Sequence, residues 1–214
     1  MGTPSRINEV ELALSSGMVN KRNLRNFQKA VFIDRDGVIN RQIRNTISID
    51  NFELHKGVPE AIKYLNLSEY LAIVVTNQPD VAKGFCTIND IEEIHKLLET
   101  KLGNYGSILD SIYYCPCHPE KGFEGENPKY KRKCRNRKPD IGMLEMAKEK
   151  FNISFEDSYI IGDRTVDIMA GKNANVKTIL VETGYSGQDN TFKVEPDYIE
   201  RNLLTAVKNI ILEN

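Results

Sequence analysis

A chain of 214 residues with 40% hydrophobic content suits one globular domain around a single core. Its 29 basic and 30 acidic residues leave a net charge of −1, which argues against a general nucleic-acid binder because no overall positive field holds a phosphate backbone. The longest apolar stretches, such as LAIVV at 71–75, are too short to cross a bilayer, and the first 28 residues are polar, without the apolar region of a secretory signal. A cytoplasmic protein without membrane or nucleic-acid partners is expected.

Residues 1–28 read as an appendage and 29–214 as the folded domain. Within the appendage, ELALSSGMV (11–19) has helical character and KRNLRNFQK (21–29) is a basic lead into the first strand. The apolar run AVFID (30–34) is of strand length and ends in DRDGVIN (34–40). Side chains alternate along a strand, so Asp34 and Asp36 can face one side where it frays into a loop, and Gly37 supplies the unusual turn that follows. A loop over 41–56 leads to the helix VPEAIKYLNL (58–67), with Pro59 in its first turn.

The run LAIVVT (71–76) is the second strand, closing on Thr76, Asn77 and Gln78, where a hydroxyl and neighbouring amides could hold phosphate oxygens. Thr87 is a candidate N-cap for INDIEEIHKLLETKL (88–102), with Ile91, Ile94, Leu97 and Leu98 on one face. His55 and His95 read as surface or helix residues, and Cys86 as a packed loop residue. A third strand, SIYYC (111–115), opens a segment that crowds Cys115, Cys117 and Cys134 around His118, pointing to metal rather than redox chemistry. Lys138 precedes a proline suited to a first helical turn, which places its charge at the positive end of the helix DIGMLEMAKEKF (140–151).

The strand SYIIG (158–162) runs into Asp163 and Asp167, four apart across a strand-to-helix junction, a natural Mg²⁺ site completed by waters and substrate oxygens. TVDIMAGKNA (165–174) is the next helix, KTILV (177–181) the fifth strand, and YIERNLLTAVKNIIL (198–212) a closing helix. Strands buried on both faces and alternating with helices predict a three-layer α/β fold with a doubly wound parallel sheet. In such sheets the active site lies at the carboxyl ends of the strands, where Asp34, Thr76 and Asp163 fall.

DxDG, a strand-terminal Thr, a Lys and GDxxxD occur here in the order of the haloacid dehalogenase (HAD) superfamily, which residues 29–184 resemble. That resemblance implies a Rossmann-like HAD core and a Mg²⁺-dependent phosphatase. Asp34 is then the nucleophile, and Asp36 protonates the leaving oxygen and later activates water. Mg²⁺ is bound by Asp34, the main-chain carbonyl of Asp36 and Asp163, with Asp167 in support. Thr76 and Lys138 grip the phosphoryl group. The chemistry agrees: a carboxylate attacking a phosphate dianion needs compensating positive charge, and Asp36 separates phosphatases from dehalogenases, whose leaving group needs no proton.

Neither stretch that could carry a cap domain is long enough for one. YYCPCHP…KCRNRKP, FIDRDGVIN and VVTNQPDVAKG resemble the capless, zinc-loop branch that removes the 7-phosphate of D-glycero-D-manno-heptose 1,7-bisphosphate, with Pro79 and Asp80 departing from its usual pair. The resemblance implies that Asn77, Gln78, Arg137 and Arg164 serve substrate binding, and a small phosphorylated sugar is the expected partner. Eight basic residues between Lys121 and Lys138 face only Glu124 and Glu126, which suits a doubly phosphorylated sugar. Histidinol phosphate is the alternative substrate. The branch's Cys-x-His and Cys-x-Cys zinc pattern is altered here, leaving Cys115, Cys117, His118 and Cys134 as a Cys₃His set for structural Zn²⁺. The opening GTPSRINEV resembles the closing segment of a sugar nucleotidyltransferase, so a fusion to or partnership with such an enzyme is expected, and a non-catalytic regulatory module of that fusion is the second alternative.

Overall fold

The computed structural model describes residues 22–41 and 52–213, together with seven isolated positions between 7 and 19. The Gly-Thr-Pro opening, four of the nine residues of the helical stretch over 11–19, and residues 42–51 of the first loop lie outside the described residues.

Six strands form one parallel sheet. They are β1 (Lys29–Ile33), β2 (Tyr70–Asn77), β3 (Ser111–Cys115), β4 (Tyr159–Gly162), β5 (Lys177–Val181) and β6 (Tyr198–Glu200), in the order β3-β2-β1-β4-β5-β6. The helices are α1 (Val58–Leu67), α2 (Asp80–Lys83), α3 (Ile88–Gly103), α4 (Gly142–Phe151), α5 (Thr165–Ala174) and α6 (Leu203–Ala206), the last running into a π-helical turn at Val207–Ile211. Among the described residues no cap domain is inserted.

Alternation along β1 sorts the core into two layers. Val31 and Ile33 face α1, α3 and α6 through Ile62, Leu65, Leu98 and Leu203. Ala30 and Phe32 face α4 and α5 through Met143, Leu144 and Ala170. A strand whose neighbouring side chains are all buried must have helices on both faces, as its unbroken apolar run predicts. The N-cap expected at Thr87 is present, and the structure closes it into a capping box: its hydroxyl accepts from Asp90 N at 3.2 Å, and the Asp90 carboxylate accepts from Thr87 N at 2.7 Å.

Two expectations are corrected, and one short helix is added to those read from the sequence. Residues 198–200 form edge strand β6 beside β5 (Ile179↔Tyr198) rather than the start of a helix, and the closing helix begins at Leu203. A short helix, α2, occupies the loop after β2. Pro139 lies ahead of α4, which starts at Gly142, so Lys138 does not sit in a first helical turn; its charge is placed by side-chain contacts instead.

Residues 22–28 pack onto the domain. Arg22 donates to the carbonyls of Leu65, Asn66 and Tyr70 at 3.0–3.4 Å and pairs with Asp110, while Gln28 N donates to Asn152 O at 2.9 Å. The strand order reverses between β1 and β4, and that junction opens the crevice at the carboxyl ends where a doubly wound sheet takes its ligand.

Candidate active site

Asp34 leaves β1 and Asp163 leaves β4, so neighbouring strands deliver two carboxylates to the crevice. Asp167, in the first turn of α5, adds a third. One oxygen from each of the three lies within 4.8 Å of the others, and all three residues are buried. Lys138 Nζ enters this cluster, also buried, at 2.8 Å from Asp34 Oδ1, 2.6 Å from Asp167 Oδ1 and 2.7 Å from the Val75 carbonyl. Burial works against the lysine's charge, but Asp167 and Asp34 outweigh it and hold its pKa above the usual lysine value.

One cation among three carboxylates leaves negative charge uncompensated. Burial, only partly offset by Lys138, raises Asp34 to about 6. Burial, then Asp34 and Asp167, raise Asp163 to about 8. Asp163 Oδ2 accepts from Tyr185 N at 2.7 Å, whereas its Oδ1 is buried without a partner. A buried, unpartnered carboxylate oxygen in an acidic cluster fits a hard divalent cation with oxygen ligands. Glycines let the backbone approach. Gly37 (φ 90°) and Gly184 (φ 65°) both lie where any Cβ would collide with the Asp163 carboxylate, so the turn expected at Gly37 is required twice over.

Asp36 is turned out of this cluster and ringed by donors. Arg35 forks onto it through Nε (3.2 Å to Oδ1) and Nη2 (2.9 Å to Oδ2), Asn40 donates at 3.0 Å and Gln78 at 2.7 Å. Burial opposes its ionisation, but Arg35, Asn40 and Gln78 prevail and hold its pKa below the ordinary carboxylate value. Gln78 also donates to the Thr76 hydroxyl at 2.9 Å, which places Thr76 beside the same network.

The other predicted residues take more varied places. The Asn77 carboxamide clamps the Lys138 main chain, donating to its carbonyl and accepting from its N–H at 3.0 Å each. It therefore positions the lysine rather than facing the crevice. Arg137 donates to the Cys117 carbonyl at 3.1 Å, and Arg164 stacks 4.6 Å from the centre of the Tyr185 ring with its Nε 3.7 Å from Asp189. Burial and then the charge of Arg164 hold Arg137 below the usual arginine value.

The thiols of Cys115, Cys117 and Cys134 lie within 4.8 Å of one another, but His118 is not among them. Its ring meets Phe123 edge-on and its Nε2 lies 3.8 Å from Glu120. Consecutive side chains on a chain leaving a strand diverge, so positions 115 and 117 converge while 118 points away.

Sequence reasoning passed over Arg35, Asn40 and His95. His95 is buried, not a surface residue, and its Nε2 lies 3.1 Å from Arg35 Nη1. The helical spacing held that signal, since 95 falls in the 91, 94, 98 stripe.

A family model described as HAD-hydrolase-like matches residues 135–206. The chain is 40% identical over 159 residues to the D-glycero-beta-D-manno-heptose-1,7-bisphosphate 7-phosphatase of Haemophilus ducreyi, covering 73% of this chain and 85% of that one. The chain belongs to this branch of the HAD hydrolases. The corresponding Chlorobaculum tepidum phosphatase is 34% identical over 192 residues, covering 86% of this chain and 94% of its own. The heptose bisphosphate phosphatase of B. bronchiseptica, solved with magnesium and phosphate, superposes with a TM-score of 0.75 at 24% identity over 87% of this chain and all of that one. This HAD hydrolase is a phosphatase, and its fold is that of the branch. No helix among the described residues is long and apolar enough to cross a membrane.

Proposed function

We propose that this phosphatase removes the 7-phosphate of D-glycero-D-manno-heptose 1,7-bisphosphate by way of a phosphoryl group carried on Asp34. The observation that carries the reading is the buried Asp34 carboxylate, fixed by Lys138 Nζ at 2.8 Å beside Asp163 and Asp167 at the strand-order switch. Lys138 offsets the like charge between the Asp34 carboxylate and an approaching phosphoryl group. Asp34 then attacks phosphorus, which splits one hard displacement into two. Asp36 gives a proton to the departing sugar oxygen. It later takes one from the water that attacks the phosphorylated Asp34, so the acid is regenerated.

Asp34, Asp163 and the Asp36 main-chain carbonyl would hold Mg²⁺, with Asp167 in support. Bound there, Mg²⁺ supplies charge neutralisation and Lewis acidity at the phosphoryl oxygens. Thr76 and Lys138 serve the phosphoryl group, while Arg137 and Arg164 take the second phosphate. Each guanidinium can give a phosphate two parallel charge-assisted hydrogen bonds. Lys131 and Arg135 are paired with Glu126 and Glu145, which narrows the basic loop's charge towards that pair. The named relatives favour the heptose over histidinol phosphate. In a direct comparison the heptose bisphosphate should give the larger kcat/KM, with phosphate leaving position 7; a preference for histidinol phosphate would overturn the substrate assignment.

A structural Zn²⁺ on Cys115, Cys117 and Cys134 is part of the same proposal. Three converging thiols are a soft donor set, and His118, which lies outside that set with its Nδ1 buried and unpartnered, would complete four ligands once its ring turns from Phe123 towards them. The ion would tie down a long loop and so aim Arg137 and Lys138. Protein purified without added metal should carry about one zinc per chain. The Cys115→Ser/Cys134→Ser double variant should lose it, and His118→Ala should weaken its retention against a chelator. Full zinc in the double variant would contradict the site.

A further inference from the structure

We propose that His95 is a positioning residue for the proton transfers of Asp36, acting through Arg35. The inference rests on the acid–base role given to Asp36 above. A carboxylate that first gives a proton to one oxygen and then takes one from water must stay within reach of both. Asn40 and Gln78 each donate one bond to Asp36, and the Arg35 fork alone grips both of its oxygens. Arg35 is a long side chain that fixes a partner only if it is itself held.

The structure holds Arg35 on three sides. Its side chain is 4% exposed, with Nη2 at 2.9 Å from both Asp36 Oδ2 and Gln78 Oε1, and Nη1 at 3.1 Å from His95 Nε2. A guanidinium can only donate, so His95 Nε2 must accept and the ring proton sits on Nδ1. His95 is rigidly placed. It lies on the inner face of α3 beside Ile94 and Leu98, with its ring edge-on to Tyr114 of β3 at 5.2 Å. Burial and the charge of Arg35 hold its pKa down to about 3, so the acceptor persists at any working pH. The brace thus runs from α3 and β3, through Arg35, to the carboxylate at the reacting centre.

The chemistry that depends on it is balanced. As the bond between phosphorus and the sugar oxygen breaks, the Asp36 proton passes to that oxygen and the carboxylate remains in the Arg35 fork. Water then attacks the phosphorylated Asp34, Asp36 takes the water's proton, and phosphate leaves. The Arg35 fork seen here is the pairing that suits the Asp36 carboxylate between the two transfers.

The test compares phosphoenzyme formation, by rapid quench, from the heptose bisphosphate and from nitrophenyl phosphate, whose leaving group needs no proton. His95→Leu should slow the first about tenfold or more and the second less than about threefold, with KM within about twofold, as misplacement of a proton-transfer group does. His95→Gln keeps an acceptor of comparable reach and should recover most of the rate. His95→Asn keeps the polarity but falls short of Arg35 and should behave like His95→Leu, so the contrast survives if the leucine variant folds poorly. Equal slowing of both substrates, no slowing, or a glutamine variant no better than asparagine would each overturn the brace. Asp36→Asn, measured alongside, separates the two claims. Equal loss on both substrates there would remove the acid role and the brace with it. A selective loss there with none in His95→Leu would overturn the brace alone.

Discussion

Asp34→Asn should lower kcat on the sugar bisphosphate by about 10⁴-fold or more, a barrier increase of about 5.5 kcal/mol, while the protein stays folded. The amide keeps the shape of the side chain but cannot form an acyl phosphate. Removing a covalent nucleophile takes out a whole pathway, not one contact, so the loss belongs among the largest that single substitutions cause. Stability should not fall with activity. Burial already raises Asp34 to about 6 beside Asp163 and Asp167, so the ionised group is a source of repulsion in the metal-free fold, only partly answered by Lys138. Steady-state phosphate release and a thermal melt check both halves. Activity within about tenfold of wild type, about 1.4 kcal/mol, would remove Asp34 from the nucleophile's place.

Asp163→Asn should be nearly as damaging, by about 10³-fold or more, because the variant gives up a charged ligand of the proposed Mg²⁺ site. It should also change how stability responds to pH. Folding raises Asp163 from 3.8 to about 8 and Asp34 to about 6, so the folded chain binds more protons than the unfolded chain between those values. Stability is therefore greatest below the unfolded value and is lost as pH rises through the folded ones. The metal-free wild type should melt at progressively lower temperature across that window. Asp163→Asn should flatten the decline and raise the melting temperature at its alkaline end. Added Mg²⁺ should raise the wild-type melting temperature by mass action and do so far less in the variant. A variant that keeps the wild-type Mg²⁺ increment would show that Asp163 is not a ligand.

Much of this could be read along the chain because chemistry in a doubly wound sheet sits where apolar runs stop. AVFI ends at Asp34, LAIVV at Thr76 and YIIG at Asp163, and each boundary is visible in the residues themselves. What escaped was set by partners distant in sequence. Arg35 meets His95 across 60 residues and Gln78 across 43, and no local pattern announces either contact. The Asn77 carboxamide looked free for substrate because its partner, the Lys138 main chain, lies 61 residues on. His118 was grouped with the cysteines by adjacency, whereas direction along the chain decides which side chains converge. At Tyr198–Glu200 a helix-like spacing in YIERNLL hid an edge strand that exists because β5 offers it an unpaired edge. The glycine at 184 carried a signal of the same kind as Gly37, but the Asp163 carboxylate that a Cβ there would meet lies 21 residues away in the chain.

Trapping the intermediate tests the central claim most directly. Enzyme quenched during turnover and reduced with borohydride converts an aspartyl phosphate to homoserine, which peptide mass spectrometry locates. The account predicts homoserine at position 34, dependent on substrate and missing in Asp34→Asn. Reduction at another carboxylate, or turnover at full rate with position 34 never converted, would contradict it.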